Sequence, residues 1–116
     1  MREQTRDNDR LKHVLEAIGN VESYTEGLDL PMLSTDKLRL HACVYNVQVI
    51  GEAIYKLTKE FKDSHNATPW RMIEKMRHIL VHDYYQINLD ILWQVITDDL
   101  PILKEQITSY LAEDGI

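Results

Sequence analysis

The stretch CVYNVQVIGEAIYKLTKEF, residues 43–61, decides the fold. Its principal apolar side chains recur in alternating steps of four and three residues, at Cys43, Val47, Ile50, Ile54, Leu57 and Phe61. This spacing is typical of one buried side of an α-helix. Further apolar residues beside this stripe widen it. The sequence therefore predicts a long central helix, capped at Ser34 or Thr35 and running to about residue 62, with more than one neighbour.

The preceding segment has the same helical spacing of apolar residues. The pattern predicts a helix over residues 7–27, with Asp7 or Asp9 as its N-terminal cap. Gly27 suits the end of this helix, and Pro31 breaks the helical pattern in the connector LDLPML that follows.

Three more helices are predicted after the central one. Thr68 as a cap and Pro69 in the first helical position begin the third helix, which runs into residues 76–85. Asn88 caps a fourth helix, and Asp98 or Asp99 begins a fifth. Because short connections favour antiparallel neighbours, we expect an all-α, up-down bundle of about five helices.

Length and composition limit the class of protein. A chain of 116 residues predicts one domain, residues 1–116. The single cysteine, Cys43, cannot form an internal disulfide, which fits a reducing compartment. The charged N-terminus lacks the apolar core of a signal peptide, and no apolar run approaches the length of a membrane span. We therefore expect a soluble, cytoplasmic protein that does not enter the membrane.

Charge is distributed unevenly along the chain. The formal net charge of −6 argues against an unspecific DNA-coating protein, because such binding depends on neutralising phosphates. Residues 56–77, however, carry six Lys and Arg against three Asp and Glu. This basic segment is either an ordinary solvated helix surface or a surface that binds a phosphate chain, for which Arg71 and Lys75 are the candidate residues.

The segment MRHILVHDYY, residues 76–85, gathers more ionisable groups than packing requires. Arg77 and His82 are five residues apart, which places them about 140° apart around a regular helix. One helix therefore does not bring them together. Either the helix ends near His82, or a second copy of the chain supplies the neighbouring groups across a two-fold axis.

Three hypotheses account for this segment. It is a polar helix end, where histidine interacts favourably with the helix dipole. Alternatively, His78 and His82, four residues apart, bind a metal ion with Asp83 as a third ligand. In the third hypothesis Arg77 holds a phosphate group and His82 transfers a proton near neutral pH.

The pattern R-x4-H-x-Y from Arg77 to Tyr84 resembles the signature of the HepT-like toxins in the HEPN superfamily of helical ribonucleases. Three flanking segments resemble the family in the right order: VIGEAIYKL (49–57), TPWRMIEKMR (68–77) and DILWQVITDDLPILKEQI (90–107). One departure is His78, because family members often have asparagine directly after the arginine.

The resemblance implies a homodimeric, metal-independent endoribonuclease without a cofactor, the toxin of a toxin–antitoxin pair. It implies that Arg77 and His82 are catalytic, supported by His78 and Asp83, and that RNA such as tRNA or mRNA is cleaved. It also implies a nucleotidyltransferase antitoxin that silences the toxin by adding AMP to Tyr84. The alternative is a non-catalytic HEPN module that binds nucleotides or pairs with a nucleotidyltransferase without cutting RNA.

Overall fold

The computed structural model describes the backbone of residues 2–79, 81–83 and 86–113, and the side chains of residues 6–76, 78 and 87–113. The helices are α1 (Arg2–Thr25), α2 (Leu30–Thr35), α3 (Lys37–Tyr55), α4 (Lys59–Ser64), α5 (Trp70–Glu74), α6 (Met76–Ile79), α7 (Leu89–Gln94) and α8 (Leu100–Glu113). A π-helical turn, Val95–Asp99, joins α7 to α8. Two short antiparallel strands, β1 (Val81–Asp83) and β2 (Gln86–Ile87), are a minor addition. The predicted all-α class is confirmed.

The longest helices, α1 and α3, form an antiparallel pair. Near one end of the pair, Asn20 Nδ2 donates to Asn46 Oδ1 at 3.0 Å, and Arg39 Nη1 donates to the Tyr24 carbonyl at 3.2 Å. At the other end, the start of α1 reaches the residues that follow α3. The predicted antiparallel arrangement of successive long helices is therefore present.

The apolar side of α3 lies at the centre of the core, as the sequence predicts. α3 packs against α1, α2, α5 and α6. Its buried residues are Leu40, Cys43, Val44, Asn46, Val47, Ile50, Gly51 and Ile54. Burial raises the pKa of the Cys43 thiol to about 11, so this side chain behaves as a small apolar group. None of the helices in the described ranges has a stretch long and apolar enough to cross a membrane.

The predicted central helix differs from α3 at both ends. Its N-terminal cap is Asp36, which accepts a hydrogen bond from the Arg39 amide. Ser34 and Thr35 do not cap α3, because their hydroxyls donate to carbonyls within α2. α3 also ends at Tyr55, and a separate helix, α4, follows.

The predicted boundaries near the N-terminus also need correction. α1 begins before both Asp7 and Asp9, so neither residue is its cap. Gly27 follows α1 with φ of +75°, the left-handed conformation expected at a helix end. Pro31 does not prevent a helix, because it lies in the first turn of α2, which Asp29 caps.

At the C-terminal end one predicted helix start is confirmed and one is wrong. Asn88 caps α7, since its side chain accepts from the Ile91 amide at 3.1 Å. Asp98 and Asp99 do not begin a new helix but lie inside the π-helical turn. Pro101 follows this turn, and a proline in a regular helix would remove one hydrogen bond and press on the carbonyl four residues earlier. The wider turn precedes the proline and lets α7 and α8 follow one another without a loop.

The carboxylate of Asp7 joins the start of α1 to the break after α3, which yields a stability prediction. One oxygen accepts from the Thr58 amide at 3.0 Å and the other from the Thr58 hydroxyl at 2.7 Å. Asp7→Ala leaves both donors without this partner, so we expect the free energy of unfolding to fall by about 1.5–3 kcal/mol in urea denaturation. Asp9→Ala removes an exposed carboxylate from the same helix and should change the free energy of unfolding by less than about 0.5 kcal/mol. Equal losses in the two variants would contradict the role of Asp7.

Candidate active-site segment

The segment that carries the predicted catalytic residues is not one helix. α6 ends at Ile79, and His82 lies on β1. The third helix was predicted to run into residues 76–85, and it does so as two helices, α5 and α6. Of the two explanations for the angle between Arg77 and His82, an early helix end applies. The side chains of Arg77, His82 and Asp83, and the whole of Tyr84, lie outside the described residues, so their assigned roles stay predictions.

The backbone reverses direction within the motif. β1 and β2 are antiparallel, with Val81 opposite Ile87 and Asp83 opposite Gln86, and the register shifts between the two pairs. The pairing returns the chain to Asn88 at the start of α7. The motif thus begins on α6, which carries Arg77, and the chain enters α7 after it.

The loop before α5 is attached to α8 through Thr68. This buried residue does not cap the helix as predicted: α5 begins at Trp70, and no side-chain cap is present. Instead the Thr68 hydroxyl donates to Gln106 Oε1 at 2.8 Å and lies 2.5 Å from the Tyr110 hydroxyl. The sequence pattern identified a hydroxyl at the right place but not its partners, which are 38 and 42 residues away along the chain.

An aromatic cluster holds the same loop. The His65 ring stacks on Phe61 at a centroid distance of 4.1 Å and meets Tyr110 edge-on at 4.5 Å. Trp70 Nε1 donates to the His65 carbonyl at 3.0 Å, and His65 Nε2 lies 3.3 Å from a Glu113 oxygen. These contacts join α4, α5 and α8 just before the motif begins.

A cleft between α4 and α5 contains three cations and two carboxylates. Its volume is about 540 Å³, and Lys59, Lys62 and the predicted RNA-binding residue Arg71 line it together with Asp63 and Glu74. Lys59 Nζ lies 3.9 Å from Asp63 Oδ2. Lys62 Nζ lies 2.5 Å from Glu74 Oε1, which ties the two helices together. Lys75, the other predicted RNA-binding residue, is exposed but does not line the cleft. The structure therefore places Arg71, but not Lys75, among the cations of this cleft.

His78 is the one residue from Arg77 to Tyr84 whose side chain is described. It is exposed, and its amide donates to the Lys75 carbonyl at 2.9 Å. Among the side chains that the structure describes, no cluster of three metal-ligating residues occurs. The set formed by His78, His82 and Asp83 includes two residues outside that description, so the metal hypothesis is not tested by this geometry.

An apolar groove on the other side of α5 was not predicted. Met72, Met76 and Ile102 are among its lining residues, and its volume is about 340 Å³. Asp99, from the π-helical turn, also lines it, and partial burial together with the nearby Asp98 carboxylate raises the pKa of Asp99. The sequence predicts that Asp98 or Asp99 begins a helix, and it carries no signal for the position of Asp99 at the groove.

With this geometry established, comparison with known proteins identifies the family. A family model described as Ribonuclease HepT-like matches residues 14–110. The chain belongs to this family. The match includes the segment from Arg77 to Tyr84, the helices that lead into it and those that follow.

Three relatives of the HepT-like chain have related names. A Methanocaldococcus jannaschii protein, named a gamma-glutamylcyclotransferase and candidate RNase, is 36% identical over 89% of this chain, which spans about half (46%) of that protein. A candidate RNase from Caldanaerobacter subterraneus is 31% identical over 90% of this chain and 93% of its own length. A Thermococcus cleftensis protein named "Probable ribonuclease HepT" is 32% identical over 83% of this chain and 87% of its own length. No solved structure gives a significant match.

The contacts of Thr68 predict that its hydroxyl stabilises the approach to the motif. Thr68→Val keeps the shape of the side chain and removes its hydrogen bonds to α8. We therefore expect the free energy of unfolding to fall by about 1–2 kcal/mol. Amide hydrogen exchange should accelerate in residues 70–79. Thr108→Val, which removes an exposed hydroxyl that donates within α8, is the control and should change neither quantity. Unaltered exchange in Thr68→Val would show that this contact does not hold the segment.

Proposed function

We propose that the protein is a metal-independent endoribonuclease and the toxin of a toxin–antitoxin pair. The observation that carries the proposal is the family match over residues 14–110, which contains both Arg77 and His82 of the R-x4-H-x-Y pattern. The names of the relatives support a nuclease. Active protein is a homodimer, and two copies of the motif form the site.

RNA contains its own nucleophile, so the protein needs few groups to cleave it. The 2′-hydroxyl attacks the adjacent phosphorus, and the bond to the 5′-oxygen breaks. A His82 imidazole takes the 2′-hydroxyl proton, and the His82 of the second copy protonates the leaving 5′-oxygen. The Arg77 guanidinium interacts with the non-bridging oxygens, where negative charge increases in the transition state.

The described geometry supports this assignment in two ways. The chain leaves the helical path between Arg77 and His82, so the angle of a regular helix no longer separates the two residues. In the cleft between α4 and α5, Arg71 provides a cation for a neighbouring phosphate of the strand, although the whole chain is acidic and Lys59 and Lys62 pair with carboxylates of the same cleft.

A nucleotidyltransferase antitoxin controls the toxin by transferring AMP to Tyr84. The phenol oxygen attacks the α-phosphorus of ATP, pyrophosphate leaves, and the phenol proton is released to solvent. The product carries a bulky group with a negative charge beside the site for the RNA phosphate. Substrate RNA is then excluded by steric overlap and by repulsion between like charges.

Cleavage of total tRNA by purified protein tests the nuclease proposal. We expect cleavage that persists in EDTA and leaves 2′,3′-cyclic phosphate ends. Arg77→Ala and His82→Ala should each lower the cleavage rate at least 100-fold, because a positioned acid or base typically contributes 10²–10⁴. Unchanged circular dichroism would show that the variants remain folded, and Arg6→Ala and His41→Ala, which remove exposed residues of the same types elsewhere, should retain the rate.

Other results would redirect the assignment. A strict requirement for a divalent ion would favour the metal hypothesis with His78, His82 and Asp83. No cleavage of any RNA by the dimer, combined with binding of a nucleotidyltransferase, would support the non-catalytic HEPN module.

Tyr84→Phe separates control from catalysis. The substitution keeps the aromatic ring and removes the acceptor oxygen, so we expect dimerisation and most of the nuclease activity to persist. Incubation with the cognate nucleotidyltransferase and ATP should silence the wild-type protein but not the variant. Peptide mass spectrometry should find added AMP on the peptide that contains Tyr84 and Tyr85. Silencing that persists in Tyr84→Phe would refute the acceptor role and favour control by binding alone.

A further inference from the structure

A second cleft lies between α1 and α3, and all of its lining residues that the structure describes come from these two helices and from Lys56 directly after α3. Its volume is about 510 Å³. The lining residues are Arg10, His13, Tyr45, Gln48, Val49, Glu52, Ala53 and Lys56. Eleven residues separate Tyr45 from Lys56, so the cleft extends about 16 Å along the helix axis. This length and volume suit a small polar ligand with an aromatic part.

One end of the cleft offers a surface for an aromatic ring. Tyr45 is 66% exposed, which is unusual for a large aromatic side chain on the central helix of a bundle. Val49 and Ala53 are partly buried and give the cleft an apolar floor. A planar base can stack on an exposed tyrosine, a contact worth about 1–3 kcal/mol in single-stranded nucleic acid binding. The amide of Gln48 adds both a donor and an acceptor for a base edge.

The other end of the cleft is basic. Arg10, His13 and Lys56 line it, and the Arg10 side chain is held in place. Its Nη1 donates to the Lys56 carbonyl at 2.6 Å and lies 3.8 Å from Asp7 Oδ1. These contacts use only some of the N–H donors of the guanidinium, which has five. An oriented guanidinium in a cleft that a lysine also lines is a favourable site for a phosphate group.

Glu52 lies between these two ends along α3. A carboxylate repels phosphate, so its presence argues against a site for phosphate alone. Carboxylates do accept hydrogen bonds from ribose hydroxyls in nucleotide sites. The order along the cleft is thus an aromatic ring, a carboxylate and a group of cations, which matches the base, ribose and phosphate of a nucleotide.

From this order we propose that the α1–α3 cleft binds a nucleoside 5′-phosphate, with the base on Tyr45, the ribose at Glu52, and the phosphate at Arg10 and Lys56. The nucleotide is either free in solution or part of a single-stranded RNA. Only the RNA source rests on the proposed nuclease function, because binding of a free nucleotide requires no cleavage.

Titration of the isotope-labelled, full-length protein with AMP, followed by NMR, tests the proposal. AMP should shift the amide resonances of residues 45–56 and bind at least 10-fold more tightly than inorganic phosphate. Tyr45→Ala should weaken AMP binding at least 5-fold, as loss of one stacking contact of about 1–3 kcal/mol implies. Tyr45→Phe should remain within 2-fold of wild type, since it keeps the ring.

Matched variants identify the other contacts. Lys56→Ala should weaken AMP binding at least 3-fold, whereas Lys12→Ala, which removes an exposed lysine outside the cleft, should not. Glu52→Ala should abolish the preference for AMP over deoxy-AMP. Tyr55→Ala is the control for Tyr45, because Tyr55 is also exposed on α3 but does not line the cleft.

A hexa-adenylate titration in a His82→Ala background distinguishes the two sources without cleavage of the probe. Tighter binding of hexa-adenylate than of AMP, weakened by Tyr45→Ala, would assign the cleft to the RNA strand. AMP binding without hexa-adenylate binding would assign it to a free nucleotide. AMP affinity that is no better than phosphate affinity, or unchanged in both Tyr45→Ala and Lys56→Ala, would overturn the proposal. Absence of nuclease activity would refute the proposed function but leave these binding results intact.

Discussion

Burial of the apolar side of α3 is the constraint on which the rest of the structure depends. Fully buried residues such as Val47, Ile50 and Ile54 each contribute about 1.5–3 kcal/mol through the hydrophobic effect. One neighbouring helix cannot cover a stripe this wide, so α1 packs along one side and α5 and α6 along another. α6 carries Arg77, the first residue of the motif, and packs against the central helix. The packing of the bundle therefore fixes where the motif begins.

The same packing explains which features of the fold were predictable from the sequence. Apolar spacing identified α1, α3 and α8, because in each of them the buried side chains repeat with the helical period. The apolar spacing did not reveal the end of α3. Leu57 continues the stripe, yet the helix stops at Tyr55, and Thr58 caps α4 locally through the Phe61 amide. Thr58 also bonds to Asp7, 51 residues earlier. A contact between distant residues of this kind becomes visible only after α1 and α3 have been packed together.

The candidate site shows a similar division between local and tertiary information. The pattern from Arg77 to Tyr84 identified the family, because a spacing of residue types is a property of sequence alone. The local pattern also suggested that the Thr68 hydroxyl caps a helix. In the structure this buried hydroxyl bonds to side chains of α8 instead. Neither the apolar groove at Met72 nor the α1–α3 cleft could be predicted, since each combines residues from helices that are far apart in sequence.

Contacts on both sides of the motif determine where it lies. The helix that carries Arg77 is only four residues long, and the strands after it are three and two residues long. Such short elements gain little stability from their own hydrogen bonds. Their position depends on the anchors before and after them: the Thr68 contacts and the Lys62–Glu74 pair on one side, and the cap at Asn88 on the other. We therefore expect a substitution at these anchors to displace Arg77 and His82. On the proposed function such a variant loses activity, because catalysis by positioned groups is sensitive to displacements of about 1 Å.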